Sequence, residues 1–483
     1  MAKVELTTRR RNFIVAVMLI SAFVAILNQT LLNTALPSIM RELNINESTS
    51  QWLVTGFMLV NGVMIPLTAY LMDRIKTRPL YLAAMGTFLL GSIVAALAPN
   101  FGVLMLARVI QAMGAGVLMP LMQFTLFTLF SKEHRGFAMG LAGLVIQFAP
   151  AIGPTATGLI IDQASWRVPF IIILGIAILA FVFGLVSISS YNEVKYTKLD
   201  KRSVMYSTIG FGLMLYAFSS AGDLGFTSPI VIGALILSMV IIYLFIRRQF
   251  NITNALLNLR VFKNRTFALC TISSMIIMMS MVGPALLIPL YVQNSLSLSA
   301  LLSGLVIMPG AIINGIMSVF TGKFYDKYGP RPLIYTGFTI LTILTITTIM
   351  LCFLHTDTSY TYLIVVYAIR MFSVSLLMMP INTTGINSLR NEEISHGTAI
   401  MNFGRVMAGS LGTALMVTLM SFGAKIFLST SPSHLTATEI KQQSIAIGVD
   451  ISFAFVAVLV MAAYVIALFI REPKEIESNR RKF

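Results

Sequence analysis

Carboxylates are scarce in this chain: 18 Asp and Glu stand against 34 Lys and Arg in 483 residues. Cysteine is scarcer still. The two present, Cys270 and Cys352, both lie in apolar stretches, so no disulfide framework is implied. The four histidines, His134, His355, His396 and His434, fall near the ends of apolar stretches or in connections, and no Cys/His/Asp grouping has metal-ligand spacing. No G-x-x-x-x-G-K-[ST] stretch occurs. Gly322-Lys323 is followed by Phe324, so the chain has no phosphate cradle with which to use ATP itself. No connection is long enough to form a soluble catalytic or output domain. Neither an enzyme nor a sensor is legible, and no cofactor or metal is expected.

What the chain has instead is apolar length. About fourteen stretches cover roughly 13–36, 52–71, 80–97, 101–130, 137–161, 168–189, 204–221, 230–246, 267–291, 301–320, 333–354, 360–380, 397–421 and 447–470. A bilayer core takes about 20 apolar residues of helix to cross, and most of these stretches are close to that. The first is too long for a cleaved signal and ends at Ala35-Leu36-Pro37 without a small-residue cleavage site. The expected fold is an all-α integral membrane protein.

The net charge of +16 and pI near 9.9 would suggest nucleic acid in a soluble protein. Their placement excludes it. Lys and Arg gather before the first stretch and in every second connection after it, as in Arg74, Lys76 and Arg78 or Arg247, Arg248, Arg260, Lys263 and Arg265. The alternate connections hold only Arg41, Arg167, Lys425 and Lys441. By the positive-inside rule both termini face the cytoplasm, and the number of spans is even. The expected setting is a plasma membrane, with lipid headgroups as the partners of the basic loops.

The stretches repeat. The connection after the second holds Leu71-Met72-Asp73-Arg74 and then Arg78-Pro79; the one after the tenth holds Gly322-Lys323-Phe324-Tyr325-Asp326-Lys327 and then Arg331-Pro332. The fourth reads Ala107-Arg108 and reaches Met119-Pro120, and the twelfth reads Ile369-Arg370 and reaches Met379-Pro380. The fifth opens Arg135-Gly136-Phe137-Ala138, the thirteenth His396-Gly397-Thr398-Ala399. Three echoes in one order argue for a duplicated six-helix unit, and such repeats enclose a site near the midplane. The expected division is a six-helix bundle over 1–190, two inserted helices over 191–265, a second bundle over 266–471 and a tail over 472–483.

Four ionisable acid or base side chains fall inside the stretches: Arg108, Arg370, Arg405 and Asp450. Such groups are costly in a bilayer and face a wet cavity or a partner. At 1.5 Å per residue, Arg108 and Asn28 lie about 10 and about 13 Å from the same end of their helices. A polar cluster of Asn28, Gln29, Arg108 and Gln111 is therefore expected, either lining a transport cavity or pinning helices together. Arg370 and Arg405 are further cavity candidates. A positive field without an opposing carboxylate favours neutral, zwitterionic or anionic amphiphiles. A proton carrier needs a carboxylate, which Asn28 is not. Asp162 and Asp450 are the candidates left.

These same segments resemble the major facilitator superfamily, and within it the fourteen-helix drug:proton antiporters. Asp73 and Asp326 look like its signature loops. Arg108-Val109-Ile110-Gln111 with Gly114, Gly116 and Pro120 looks like its fourth-helix motif. Pro150, Gly153, Pro154 and Gly158 resemble its fifth-helix antiporter motif, and Leu27-Asn28-Gln29-Thr30 through Pro37 its first-helix motif. Four positions in three motifs depart: Asn28 stands where Asp is usual, Ala69 and Lys76 replace glycines of the first signature loop, and Thr157 replaces a glycine of the fifth helix. The resemblance implies a monomer that exports small hydrophobic compounds, such as drugs and dyes, by alternating access in exchange for protons. Its cavity would open between the two bundles. An exporter of fatty acid, bile acid or other lipid-like anions is the alternative. The resemblance also implies latch loops at Asp73, Arg74 and Arg78 and at Asp326, Lys327 and Arg331. A helix bend is implied at Pro150, Gly153, Pro154 and Gly158.

Overall fold

A computed structural model describes residues 7–161, 165–190, 194, 199–252, 255–351, 354–355, 358–430 and 436–471. Among them are fourteen α-helices and no strand. They are α1 (Thr8–Leu43), α2 (Glu47–Arg74), α3 (Thr77–Ala96), α4 (Phe101–Leu129), α5 (Arg135–Ile161), α6 (Arg167–Ser187) and α7 (Lys201–Leu224). The others are α8 (Pro229–Asn251), α9 (Arg265–Asn294), α10 (Ala300–Tyr328), α11 (Pro330–Leu351), α12 (Tyr360–Asn387), α13 (Ile394–Thr430) and α14 (Ala437–Leu468). Twelve are long and apolar enough to cross a membrane; α5 and α11 offer too few consecutive described residues for that test.

Polar connections set where the helices begin. The side chains of Asn46, Asn100 and Asn264 accept from the backbone N–H of Thr49, Val103 and Phe267, occupying donors that the first helical turn leaves open. Thr436 and Glu439 cap α14 reciprocally. At the far end of α10, Gly329 adopts φ 86°, and Pro330 then opens α11. Prolines inside helices, among them Pro37, Pro66, Pro120, Pro309 and Pro380, do not interrupt them. Neighbouring helices can satisfy the carbonyls that a proline frees in lipid.

The chain forms two compact units. The first comprises Met1–Tyr216, Ile236–Val261 and Leu389–Phe403; the second comprises Ala217–Leu235, Phe262–Ser388 and Gly404–Phe483. In the first, α4 packs on α2 and α3, and α1 on α5. The α3–α4 seam is close. A Cβ on Gly91 would lie 2.6 Å from the Gln111 backbone nitrogen, so no larger residue fits without parting the helices. In the second unit, α12 packs on α9, α10 and α11, and α14 on α9 and α11. Helix α8 leaves Ile232, Ile236, Leu237, Met239, Val240 and Tyr243 exposed, as lipid contact requires.

Candidate functional site

In the first unit α4 carries Arg108, fully buried. Its Nε donates to the Leu53 carbonyl at 3.2 Å, and Nη1 donates to the Asn28 carbonyl at 3.3 Å and to Gln111 Oε1 at 3.0 Å. The Phe57 ring lies beneath the guanidinium, 4.1 Å from its carbon. Asn28 Nδ2 also donates to Gln111 Oε1, at 3.2 Å, and Gln111 Nε2 donates to Ser92 Oγ at 3.1 Å. Four helices, α1 to α4, thus meet around one cation. Every bonded partner is neutral. Arg108 Nη2 and Asn28 Oδ1 are buried with no hydrogen-bond partner. A buried cation with a spare donor, beside a spare acceptor, can receive a polar or anionic group without first breaking a bond.

Asn28, Arg108 and Gln111 are thus brought together, whereas the half-buried Gln29 makes none of these bonds. Ser92, Phe57 and the Leu53 carbonyl complete the cluster unannounced by the sequence reading. Nearby, a Cβ on Gly153 of α5 would sit 2.5 Å from Thr30 Oγ1 of α1, so that glycine permits a close helix approach. Helix α5 runs unbroken past Pro150, Pro154 and Gly158.

A second polar cluster occupies the basic end of the same unit. Ser395 Oγ donates to Asp73 Oδ1 at 2.6 Å, and His396 Nε2 lies 3.1 Å from Asp73 Oδ2. The Asn258 N–H donates to His396 Nδ1 at 3.2 Å. An Nδ1 that accepts is unprotonated, so Nε2 carries the proton and the Asp73 contact is a hydrogen bond from a neutral ring. Two turns along α13, Asn402 Nδ2 donates to Gln123 Oε1 of α4 at 2.8 Å. Asp73 is thus held by the first turn of α13. Arg74 Nη1 donates to the Tyr70 hydroxyl at 2.8 Å, and Arg78 Nη2 donates to the Leu185 carbonyl at 2.9 Å.

In the second unit, Arg370 Nη2 donates to the Ser280 carbonyl at 2.5 Å while its buried Nε has no partner. It lines a pocket of about 40 Å³ with Tyr291, Thr345, Tyr362, Tyr367 and Phe453, room for a few waters. Asp450 is occupied: both carboxylate oxygens lie 3.1 Å from the Leu354 backbone nitrogen, which donates to them. Arg405 and Asp326 are half-buried, and Arg331 is exposed. Lys327 Nζ lies 5.1 Å from the centre of the Tyr328 ring. Asp162 lies outside the described residues. No group of three or more His, Cys, Asp or Glu able to hold a metal is found among the described residues.

A family model described as "Major Facilitator Superfamily" matches residues 18–413. The chain is 40% identical over 464 residues to the protein named "Uncharacterized MFS-type transporter YcnB" of Bacillus subtilis (strain 168), across 96% of each chain. It is also 40% identical over 459 residues to "Lincomycin resistance protein LmrB" of the same organism, across 95% of each. Among solved structures, the human organic anion transporter MFSD10 superposes with a TM-score of 0.63 at 12% identity, covering 94% of this chain and 99% of that one. At that identity the likeness is one of fold alone.

Proposed function

The chain belongs to the Major Facilitator Superfamily and is a transporter rather than an enzyme, and from that premise we propose that it exports small hydrophobic or amphiphilic compounds, drugs and dyes among them, by alternating access in exchange for protons. The observation that carries the export reading is the likeness, across 95% of both chains, to a protein named for lincomycin resistance. The Arg108 cluster supports it by offering a spare donor and a spare acceptor within the membrane. The transporter works as a monomer in the bacterial plasma membrane, with both termini and the basic connections in the cytoplasm. Asp450 is the proton-carrying candidate among the described acids, because it alone lies inside an apolar stretch.

A second reading rests on a different observation. Arg108 is bonded only to neutral groups, and so is Arg370. Each is a buried cation bonded to no carboxylate, and each by itself suits the headgroup of an anionic, lipid-like amphiphile. Proteoliposomes loaded with a cationic dye, lincomycin or an anionic fluorescent fatty acid, under an imposed pH gradient, separate the readings. Gradient-driven loss of dye or lincomycin, absent in Arg108→Gln and Asp450→Asn, is the expected result. Release of the fatty acid alone transfers the conclusion to lipid-like anions. Release of any of them that ignores the gradient rejects proton exchange.

A further inference from the structure

The inserted helices α7 and α8 have no role in the reading above, yet their basic ends are wired into the Asp73 cluster. Just before α7, Asp200 accepts from Arg248 of α8 at 2.5 and 2.8 Å, and from Ser203 Oγ at 2.5 Å. Gln249 Nε2 of α8, itself buried, donates to that Ser203 Oγ at 2.7 Å. Its Oε1 accepts from the Leu257 N–H at 3.2 Å, in the connection between α8 and α9. The next residue, Asn258, donates its N–H to His396 Nδ1. His396 then reaches Asp73.

Asp200, Ser203, Gln249, the Leu257–Asn258 backbone, His396 and Asp73 therefore form a relay broken only by one peptide step. Ser203, Gln249, Leu256, Leu257, Val261 and His396 are all buried along it. A backbone N–H that takes a side-chain acceptor in a buried connection has no water to fall back on. The imidazole is also held in one tautomer from the connection side, which fixes the nitrogen that it presents to Asp73. The whole relay lies within the first compact unit.

We propose that His396 is a positioning residue, the junction through which the inserted α7–α8 pair holds the Asp73 end of α2 on the first turn of α13. The inserted helices then act on the transport cycle by setting how firmly that helix end is held. The inference goes beyond the export reading and does not depend on which compound is carried.

Hydrogen exchange of the full chain in lipid nanodiscs tests it without any transport assay. Wild type is compared with Asp73→Asn, Gln249→Ala, His396→Ala and His396→Gln, the last keeping one acceptor and one donor. Expected is faster exchange at the Leu257 and Asn258 amides in Asp73→Asn, although Asp73 touches neither. His396→Ala should loosen both that connection and the end of α2, and His396→Gln should stay close to wild type. Exchange at Leu257 and Asn258 that is unmoved by Asp73→Asn overturns the proposal, as does loosening confined to one side of His396. In proteoliposomes, Gln249→Ala and His396→Ala should each slow turnover about tenfold at unchanged KM, and the double variant should be no slower than the worse single. Losses that multiply to about a hundredfold mean independent sites and overturn it. A failure of the export reading would leave the exchange result standing.

Discussion

A guanidinium removed from water must recover its hydrogen bonds from whatever surrounds it, and Arg108 recovers them from carbonyls, an amide and a ring face. Lysine presents a point charge without the planar fork that these acceptors share, so Arg108→Lys is expected to transport no better than Arg108→Gln. Dye efflux from proteoliposomes checks this. Gln111→Leu removes one partner each from Arg108 Nη1, Asn28 Nδ2 and Ser92 Oγ together. The expected loss is about 2–4 kcal/mol, read as a lower thermal midpoint in detergent. At this scale the sequence was partly legible. Arg108, Asn28 and Gln111 stand out because polar groups in apolar stretches are few, and counting residues from the helix ends puts them at one depth. The Leu53 carbonyl and the Phe57 ring could not be singled out, since every residue has a carbonyl and rings abound. Gln123 and Asn402 escaped for another reason: a search for ionisable groups passes over amides, though buried amides bond as selectively.

Apolar length gave the number and order of the helices but not their extent. Helix α1 runs Thr8–Leu43 and α13 runs Ile394–Thr430, each beyond its apolar stretch, because amphipathic turns continue past the hydrocarbon. Those extra turns hold the loop contacts: Ser395 and His396 fall just outside the apolar stretch read at 397–421. The α3–α4 seam makes a direct prediction. Gly91→Val would place carbon against backbone that cannot yield, and the variant is expected to lose most of its folded yield in size-exclusion profiles. At the other end of the first unit, the Arg248 guanidinium holds the Asp200 carboxyl down to about 2. A carboxylate with a lowered folded pKa stabilises above its unfolded value and loses that contribution as pH falls through the folded one. The tie between α7 and α8 should therefore weaken between about pH 4 and about pH 2. Unfolding midpoints followed across that window should fall less steeply in Asp200→Asn than in wild type.

For the molecule as a whole, charge placement carries orientation where packing says nothing about it. A reporter active only in the cytoplasm, joined after residue 471, is expected to be active, and the same reporter placed between α13 and α14 inactive. The reverse pattern would reject the orientation read from the basic connections. The boundary between the two compact units cuts through a helix. The first ten residues of α13 belong to the first unit and the remainder to the second, a partition that no hydropathy pattern encodes. One further property follows from the neutral company that Arg108 keeps. A buried charge without a counter-charge feels the electric field across the bilayer, worth about 2.3 kcal/mol per elementary charge for a full crossing at 100 mV. If α4 shifts Arg108 by a quarter of the membrane's thickness during the cycle, each 100 mV tilts that step by about 0.6 kcal/mol. The transporter is then a voltage-dependent machine even when the compound and protons it exchanges sum to no net charge, and capacitive currents on a supported membrane should carry its signature.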